Sequence, residues 1–166
     1  MNIKRSIRQF FLPSLTPAFL FRVGFITLLA YLIFGHLLIP LRIQGYSMEP
    51  TYQNGAINFC WRLRYLFSPP KRGDVVVIRF AGQHVTLLKR VVALENEEVE
   101  FREGRLLVNG TPLEEPYVRS PYRWNLPPRK VEPQTVYVVG DNRSGSIENH
   151  FFGQVSLKRI LGSPLW

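Results

Sequence analysis

Two regimes of hydrophobic patterning divide the chain. From Val23 to Leu41 no Asp, Glu, Lys or Arg interrupts VGFITLLAYLIFGHLLIPL, and the apolar side chains of that run cover every side of a helix. Crossing the hydrocarbon core of a bilayer takes roughly 20 apolar residues, so these 19 predict one membrane span. Arg22 can reach the headgroups from its end of the span, and His36 must be neutral or near an interface. A buried core helix would be amphipathic and shorter. A cleaved leader is the nearer rival, since MNIKRSIRQ has the basic character of one, but the apolar run is too long and the exit IPLRIQGYS lacks a small-x-small cleavage pair. The expected organisation is a cytoplasmic basic N-terminus and interface over 1–22, a transmembrane helix over 23–41 and an extracytoplasmic domain over 42–166.

Beyond Leu41 the helical run gives way to short segments rich in Val, Ile and Leu, punctuated by Gly, Pro and Asn. DVVVIRF (Asp74 to Phe80) and VTLLKRVVAL (Val85 to Leu94) predict strands paired as a hairpin. Val99 to Phe101 and Arg105 to Val108 predict a second hairpin, followed by a turn at Asn109-Gly110. Pro112, Pro116, Pro121, Pro127 and Pro128 are expected to interrupt any ladder before Thr135 to Val139 resumes β character. The fold class is mainly β, behind one N-terminal apolar helix.

Composition narrows the functions. The 166 residues are 46% hydrophobic and 13% aromatic, enough for a packed core and too few for two independent ones. The net charge of +9 is polarised: Lys4, Arg5, Arg8 and Arg22 precede every acidic residue, and short basic flanks stay on the cytoplasmic side. Farther along, bases and acids interleave and no nucleic-acid recognition signature is present. A single cysteine, Cys60, excludes an internal disulfide and a Cys-rich zinc site, and no HExxH-type spacing suggests a metal. A histidine-based hydrolytic triad would have to use His84 or His150.

The segment carrying chemistry is Gly45-Tyr46-Ser47-Met48-Glu49-Pro50-Thr51, where Gly45 allows an unusual backbone path and Pro50 restricts Glu49, so that a turn presents Ser47. Read alone it is an ordinary loop. Three later segments change that reading: Arg72-Gly73-Asp74-Val75-Val76-Val77, Lys89-Arg90-Val91-Val92, and Gly140-Asp141-Asn142-Arg143 with Ser146 following. In this order behind an N-terminal span, the chain resembles type I signal peptidases, membrane-bound serine proteases that remove signal peptides from exported proteins.

The resemblance implies Ser47 as nucleophile and Lys89 as general base, with Ser146 orienting the lysine and Asp141 and Arg143 supporting that region. A lysine needs apolar surroundings to lose its proton near neutral pH. Lys89 lies between Leu87-Leu88 and Val91-Val92, although an outward, solvated strand lysine fits the same residues. The implied oxyanion donor is the Ser47 N–H; the family's second donor, a serine hydroxyl, falls at Gly45. Two other departures stand out. The family's Gly-Leu-Pro-Gly-Asp reads Ala93-Leu94-Glu95-Asn96-Glu97, where Asn96 tolerates the left-handed backbone, and its Ser-x-Asp-Ser-Arg reads Ser146-Ile147-Glu148-Asn149-His150. If Glu148 and His150 form a pair, it keeps its sign only while the histidine is protonated.

An extended preprotein signal peptide is the implied substrate, held between strands around Gly45 to Met48 and Thr86 to Lys89, with Tyr46, Met48, Thr86, Leu87 and Leu88 as the contacting residues. Phe59 to Phe67 mixes aromatics with arginines, which suits lipid headgroups or, alternatively, a core strand followed by a solvated turn. No cofactor and no metal are implied. The rival function is an inactive membrane-tethered β domain that only binds exported peptides. Topology is open to direct test: a protease added outside sealed cells should digest beyond Arg42 and spare the tail bearing Lys4, Arg5 and Arg8. Digestion of that tail from outside with the β domain protected reverses the orientation.

Overall fold

The computed structural model describes residues 15–79, 86–119 and 121–166, so Lys4, Arg5, Arg8 and His84 lie outside the described residues. The chain divides into two units, 1–37 and 38–166. In the first, helix α1 (Pro17–Leu32) starts where Thr16 accepts a hydrogen bond from the Phe19 N–H and Pro17 occupies the first turn, a position where its missing N–H costs nothing. It continues as a π-helical turn over Ile33–Leu37, giving a largely apolar stretch of 21 residues, none of them buried in the protein. The helix thus begins ahead of the expected Val23 and stops before Leu41. Residues 38–41 depart from the expected span for a physical reason: Pro40 has no N–H to continue a helix, and the segment instead pairs along a neighbouring strand.

In the second unit β1 (Leu38–Arg42), β2 (Ile57–Trp61), β3 (Val75–Arg79), β4 (Thr86–Ala93), β9 (Thr135–Val139), β10 (Gly153–Ser156) and β11 (Ile160–Pro164) form a sheet in the order β1-β2-β11-β3-β4-β9-β10. A second sheet, ordered β7-β6-β5-β8, contains β5 (Glu98–Arg102), β6 (Arg105–Val108), β7 (Thr111–Pro112) and β8 (Leu126–Lys130). Both expected hairpins form. β3 pairs with β4 from Val75↔Arg90 to Arg79↔Thr86, and β5 pairs with β6 across Glu103-Gly104, both at positive φ as a tight two-residue turn requires. Asn96 adopts φ 66°, the left-handed turn its side chain tolerates. The prolines do not interrupt every ladder: Pro127 and Pro128 lie in β8, an edge strand, where a residue without an N–H is tolerated.

β9 and the C-terminal half of β4, Val91 to Ala93, are apolar throughout because both of their faces are covered. Val92, Ala93, Tyr137 and Val139 pack with Val99, Phe101, Leu106 and Trp124, whereas Val91, Val136 and Val138 turn the other way and pack with Val76 and Ile78. Each buried Val contributes about 1.5–3 kcal/mol, so this ladder anchors the loop leaving β9 at Gly140 and the polar end of β4 at Lys89. In β2, Cys60 is 1% exposed and faces β11, where a Cβ on Gly162 would stand 2.9 Å from its sulfur. The Phe59–Phe67 segment divides between its two readings. Phe59 to Trp61 is strand, Arg62–Tyr65 is a 3-10 turn bearing exposed Leu63, and Leu66 and Phe67 are exposed beyond it.

Candidate active site

Ser47 is presented by a turn. Gly45 holds φ 96°, its N–H donates to Asn54 Oδ1 at 3.0 Å, and the turn closes through Glu49 N–H to the Tyr46 carbonyl and Tyr52 N–H to the Met48 carbonyl. The Met48 side chain is buried (1% exposed) and pins the turn to the domain, leaving Ser47 half-buried and Tyr46 outside. The Gly140–Arg143 loop fastens this turn from the far side: Asn142 N–H donates to the Ser47 carbonyl at 3.0 Å, and Asn142 Nδ2 donates to the Tyr46 carbonyl at 3.0 Å.

Lys89 reaches the same point from β4. A Cβ built on Gly140 would stand 2.2 Å from the Ser47 carbonyl oxygen and 3.4 Å from Lys89 Nζ, so the serine backbone and the ammonium nitrogen converge where only a glycine fits. Lys89 is 3% exposed, which decides between the two orientations its sequence allows. Burial pushes its pKa down to about 8, Asp141 opposes the shift and Arg143 adds to it.

The charges around this lysine are themselves paired. Asp141, with no solvent exposure, accepts both Arg90 Nε (2.8 Å) and Arg90 Nη2 (2.6 Å) and the Thr51 hydroxyl (2.5 Å). Arg143, 1% exposed, donates from Nε to the Gly140 carbonyl at 2.7 Å and forks onto Glu115. Thr51 and Arg90 belong to segments singled out in the sequence, although without this role. Glu115 sits in the proline-rich excursion and carried no signal of its own, beyond the general need of a buried arginine for a carboxylate.

Ser146 opens the 3-10 turn Ile147–Asn149, and its carbonyl accepts the Asn149 N–H. Among the described residues Glu148 and His150 form no ion pair. The His150 ring instead packs on Trp124 at 4.8 Å between centroids, and its pKa is lowered by burial and then by the charge of Lys89. No group of three His, Cys, Asp or Glu side chains able to hold a metal occurs among the described residues.

A cleft opens beside Ser47, lined by Leu41 to Gly45, Ser47, Met48, Val77 and Thr86 to Leu88. The wall expected at Gly45 to Met48 is bend and turn rather than strand, because Gly45 reverses the chain, and Gly45, Ser47 and Met48 line the cleft together with the stretch before them, Leu41 to Gln44. Tyr46, 63% exposed, is not among the lining residues. β9 pairs with β4 at Arg90, Val91 and Ala93 and stops short of Thr86 to Lys89. Among the described residues, the side of Thr86 to Lys89 beyond the end of β9 is not paired by a strand.

Residues 17–165 match the family model described as signal peptidase, peptidase S26. A signal peptidase I of Leptolyngbya laminosa is 38% identical over 130 residues, covering 72% of this chain and 63% of that protein. A probable signal peptidase I-1 of Synechocystis sp. is 33% identical over 135 residues, covering 76% and 69%. A signal peptidase I crystal structure from Enterococcus faecalis V583 superposes with a TM-score of 0.45 at 26% identity, covering 57% of this chain and 95% of that one. The match to the Leptolyngbya protein spans less than two thirds of that protein's own length.

The convergence on Gly140 predicts the effect of filling it. Gly140→Ala should force the Ser47 turn away, destabilise the domain by roughly 1–3 kcal/mol, and speed hydrogen exchange at the Asn142 amide that bonds to Ser47. Unchanged unfolding and unchanged exchange at that amide would contradict the close approach.

Proposed function

The chain belongs to the signal peptidase family, peptidase S26, and from that premise we propose that it is a membrane-anchored serine endopeptidase that cuts signal peptides from exported preproteins. The observation that carries this reading is the meeting of Ser47 and Lys89 at Gly140, with Lys89 buried and its pKa near 8. At pH 7 such an amine is neutral about one time in ten, against fewer than one in a thousand for an ordinary lysine. A fraction of that size is sufficient for a general base.

The steps follow from these groups. Neutral Lys89 Nζ accepts the Ser47 hydroxyl proton as Oγ attacks the scissile carbonyl carbon. The oxyanion of the tetrahedral intermediate is met by the Ser47 N–H, and one such donor contributes about 3–4 kcal/mol. Collapse breaks the C–N bond, and the proton held on Lys89 passes to the departing amine, which is the new N-terminus of the mature protein. An acyl-enzyme ester on Ser47 remains. Water then attacks it with Lys89 again taking the proton, releasing the signal peptide and regenerating the serine. Ser146, Asp141 and Arg143 hold the lysine and its loop in this scheme, while Thr86, Leu87 and Leu88 offer the strand edge on which the peptide lies.

We assign the apolar helix Pro17–Leu37 as the anchor, with the β domain on the outer face. Exposed Trp61, Leu63, Leu66 and Phe67 beside Arg62 and Arg64 fit contact with lipid headgroups, close to where a signal peptide leaves the bilayer. The binding-only alternative has less support, because burying a lysine at the cost of its charge serves proton transfer and contributes nothing to peptide affinity.

Two substitutions and a pH profile test the dyad. Ser47→Ala and Lys89→Met should each lower turnover of a signal-peptide substrate by at least about 10⁴-fold, and the double variant should be no worse. In the wild type, kcat/KM should rise with pH along a limb near pH 8. Lys89 has a folded pKa below its unfolded value, so its burial disfavours folding fully below pH 8 and ceases to do so as pH rises through the unfolded value near 10.4. Lys89→Met should therefore stabilise the protein at pH 7 while abolishing cleavage. A limb near pH 6.5 that disappears in His150→Gln or His84→Gln would make a histidine the base.

A further inference from the structure

Arg90 and Arg143, the two arginines that frame the site, are both gripped from outside it by one short stretch of the proline-rich excursion. Arg143 Nη2 donates to Glu115 Oε1 at 2.7 Å and Nη1 to Oε2 at 3.3 Å, with the Glu115 side chain only 9% exposed. Tyr117 donates its hydroxyl to the same Oε1 at 3.0 Å, and its ring lies under the Arg90 guanidinium at 3.9 Å. The excursion is also fastened to the loop through a bridge between Arg119 and Asn142 and through the Tyr122 N–H to the Arg143 carbonyl at 2.9 Å. Nothing in the sequence motifs involves Glu115.

We infer that Glu115 is a positioning residue for Lys89: it holds and neutralises Arg143, and thereby fixes both the place of Gly140 and the charge that surrounds the lysine. The inference rests on the Ser47–Lys89 reading above. The charged and titratable groups around Lys89 are Arg90 beside it on β4, Asp141 and Arg143 on the loop after β9, His150 after the 3-10 turn, and Tyr52 and Tyr117 beside Arg90. Asp141 balances Arg90. Among the described residues Glu115 is the carboxylate paired with Arg143, whose Nε holds the carbonyl of Gly140, the residue whose Cβ position lies 3.4 Å from Lys89 Nζ. Loss of that carboxylate leaves one buried positive charge uncompensated next to the base, and the protonated form of Lys89 becomes harder to keep. A charge released at such range, with an effective dielectric constant near 20, shifts a titration by roughly 0.5–1 pH unit.

The test uses the full chain in detergent micelles, a synthetic peptide spanning a preprotein cleavage region, and lysine labelled with 13C at Cε, with the Lys89 resonance assigned by its loss in Lys89→Met. Glu115→Gln should move both the acidic limb of kcat/KM and the Lys89 titration downward by that amount, Glu115→Asp should move both downward by a smaller amount, and Glu103→Gln, at an exposed ion pair of the second sheet, should move neither. A purely structural Glu115 would lower activity equally at all pH values and leave the limb in place, which overturns the inference. If Glu115→Gln fails to fold, Glu115→Asp decides. Its carboxylate is drawn back from Arg143, and a Lys89 titration identical to wild type refutes the role. Should the wild type not cleave, or its limb not follow the Lys89 resonance, the dyad is wrong, while the displacement of that resonance between variants still decides Glu115.

Discussion

A carboxylate sealed from water is tolerable only if every lone pair and its charge find partners, and Asp141, with no exposed surface, is that carboxylate here. Its partners come from two distant parts of the chain: Arg90 from β4 and Thr51 from the end of the serine turn. Satisfying one buried charge therefore brings the Ser47 turn, the strand bearing Lys89 and the loop after β9 into a single register. Removing either partner exposes the cost of the whole arrangement, since an unpaired buried charge is worth several kcal/mol. The convergence on Gly140 is the geometric result of that constraint.

Surrounding it is a core whose logic is simple. β4 and β9 are covered on both faces, one face packing with the second sheet and the other with β3 and its neighbours. Burial on both sides removes freedom from the two strands that deliver Lys89 and Gly140. It also creates the dry setting in which an ammonium is unstable, so the forces that fold the domain are the ones that lower the pKa of Lys89.

The strongest strands are legible in the sequence because they are dense in Val, Ile and Leu and their turns carry Gly and Asn at positions that need positive φ. The site was legible through four short segments whose order and spacing resemble a known family. Other features were not. The helix limits moved because a cap at Thr16 and the proline at Pro40 outweigh apolar content. β8 was missed because Pro127 and Pro128 look prohibitive until the strand is known to be an edge. For Gly45 to Met48 the sequence supports both a turn presenting Ser47 and a strand along the substrate, and the positive φ of Gly45 decides for the turn. Glu115 gave no signal, since its value lies wholly in a buried arginine that only folding places beside it.

Cys60 offers a different kind of consequence. Its sulfur is sealed between β2 and β11, and burial pushes its pKa up to about 11. At neutral pH about one thiol in ten thousand is then ionised, and the thiolate is the species that oxidants and disulfides attack. In an oxidising setting a domain with one unpaired cysteine would otherwise be prone to covalent dimers and to sulfenic acid. Here the strand that packs the thiol away also makes it chemically inert, so the chain tolerates an odd cysteine without an enzyme to keep it reduced.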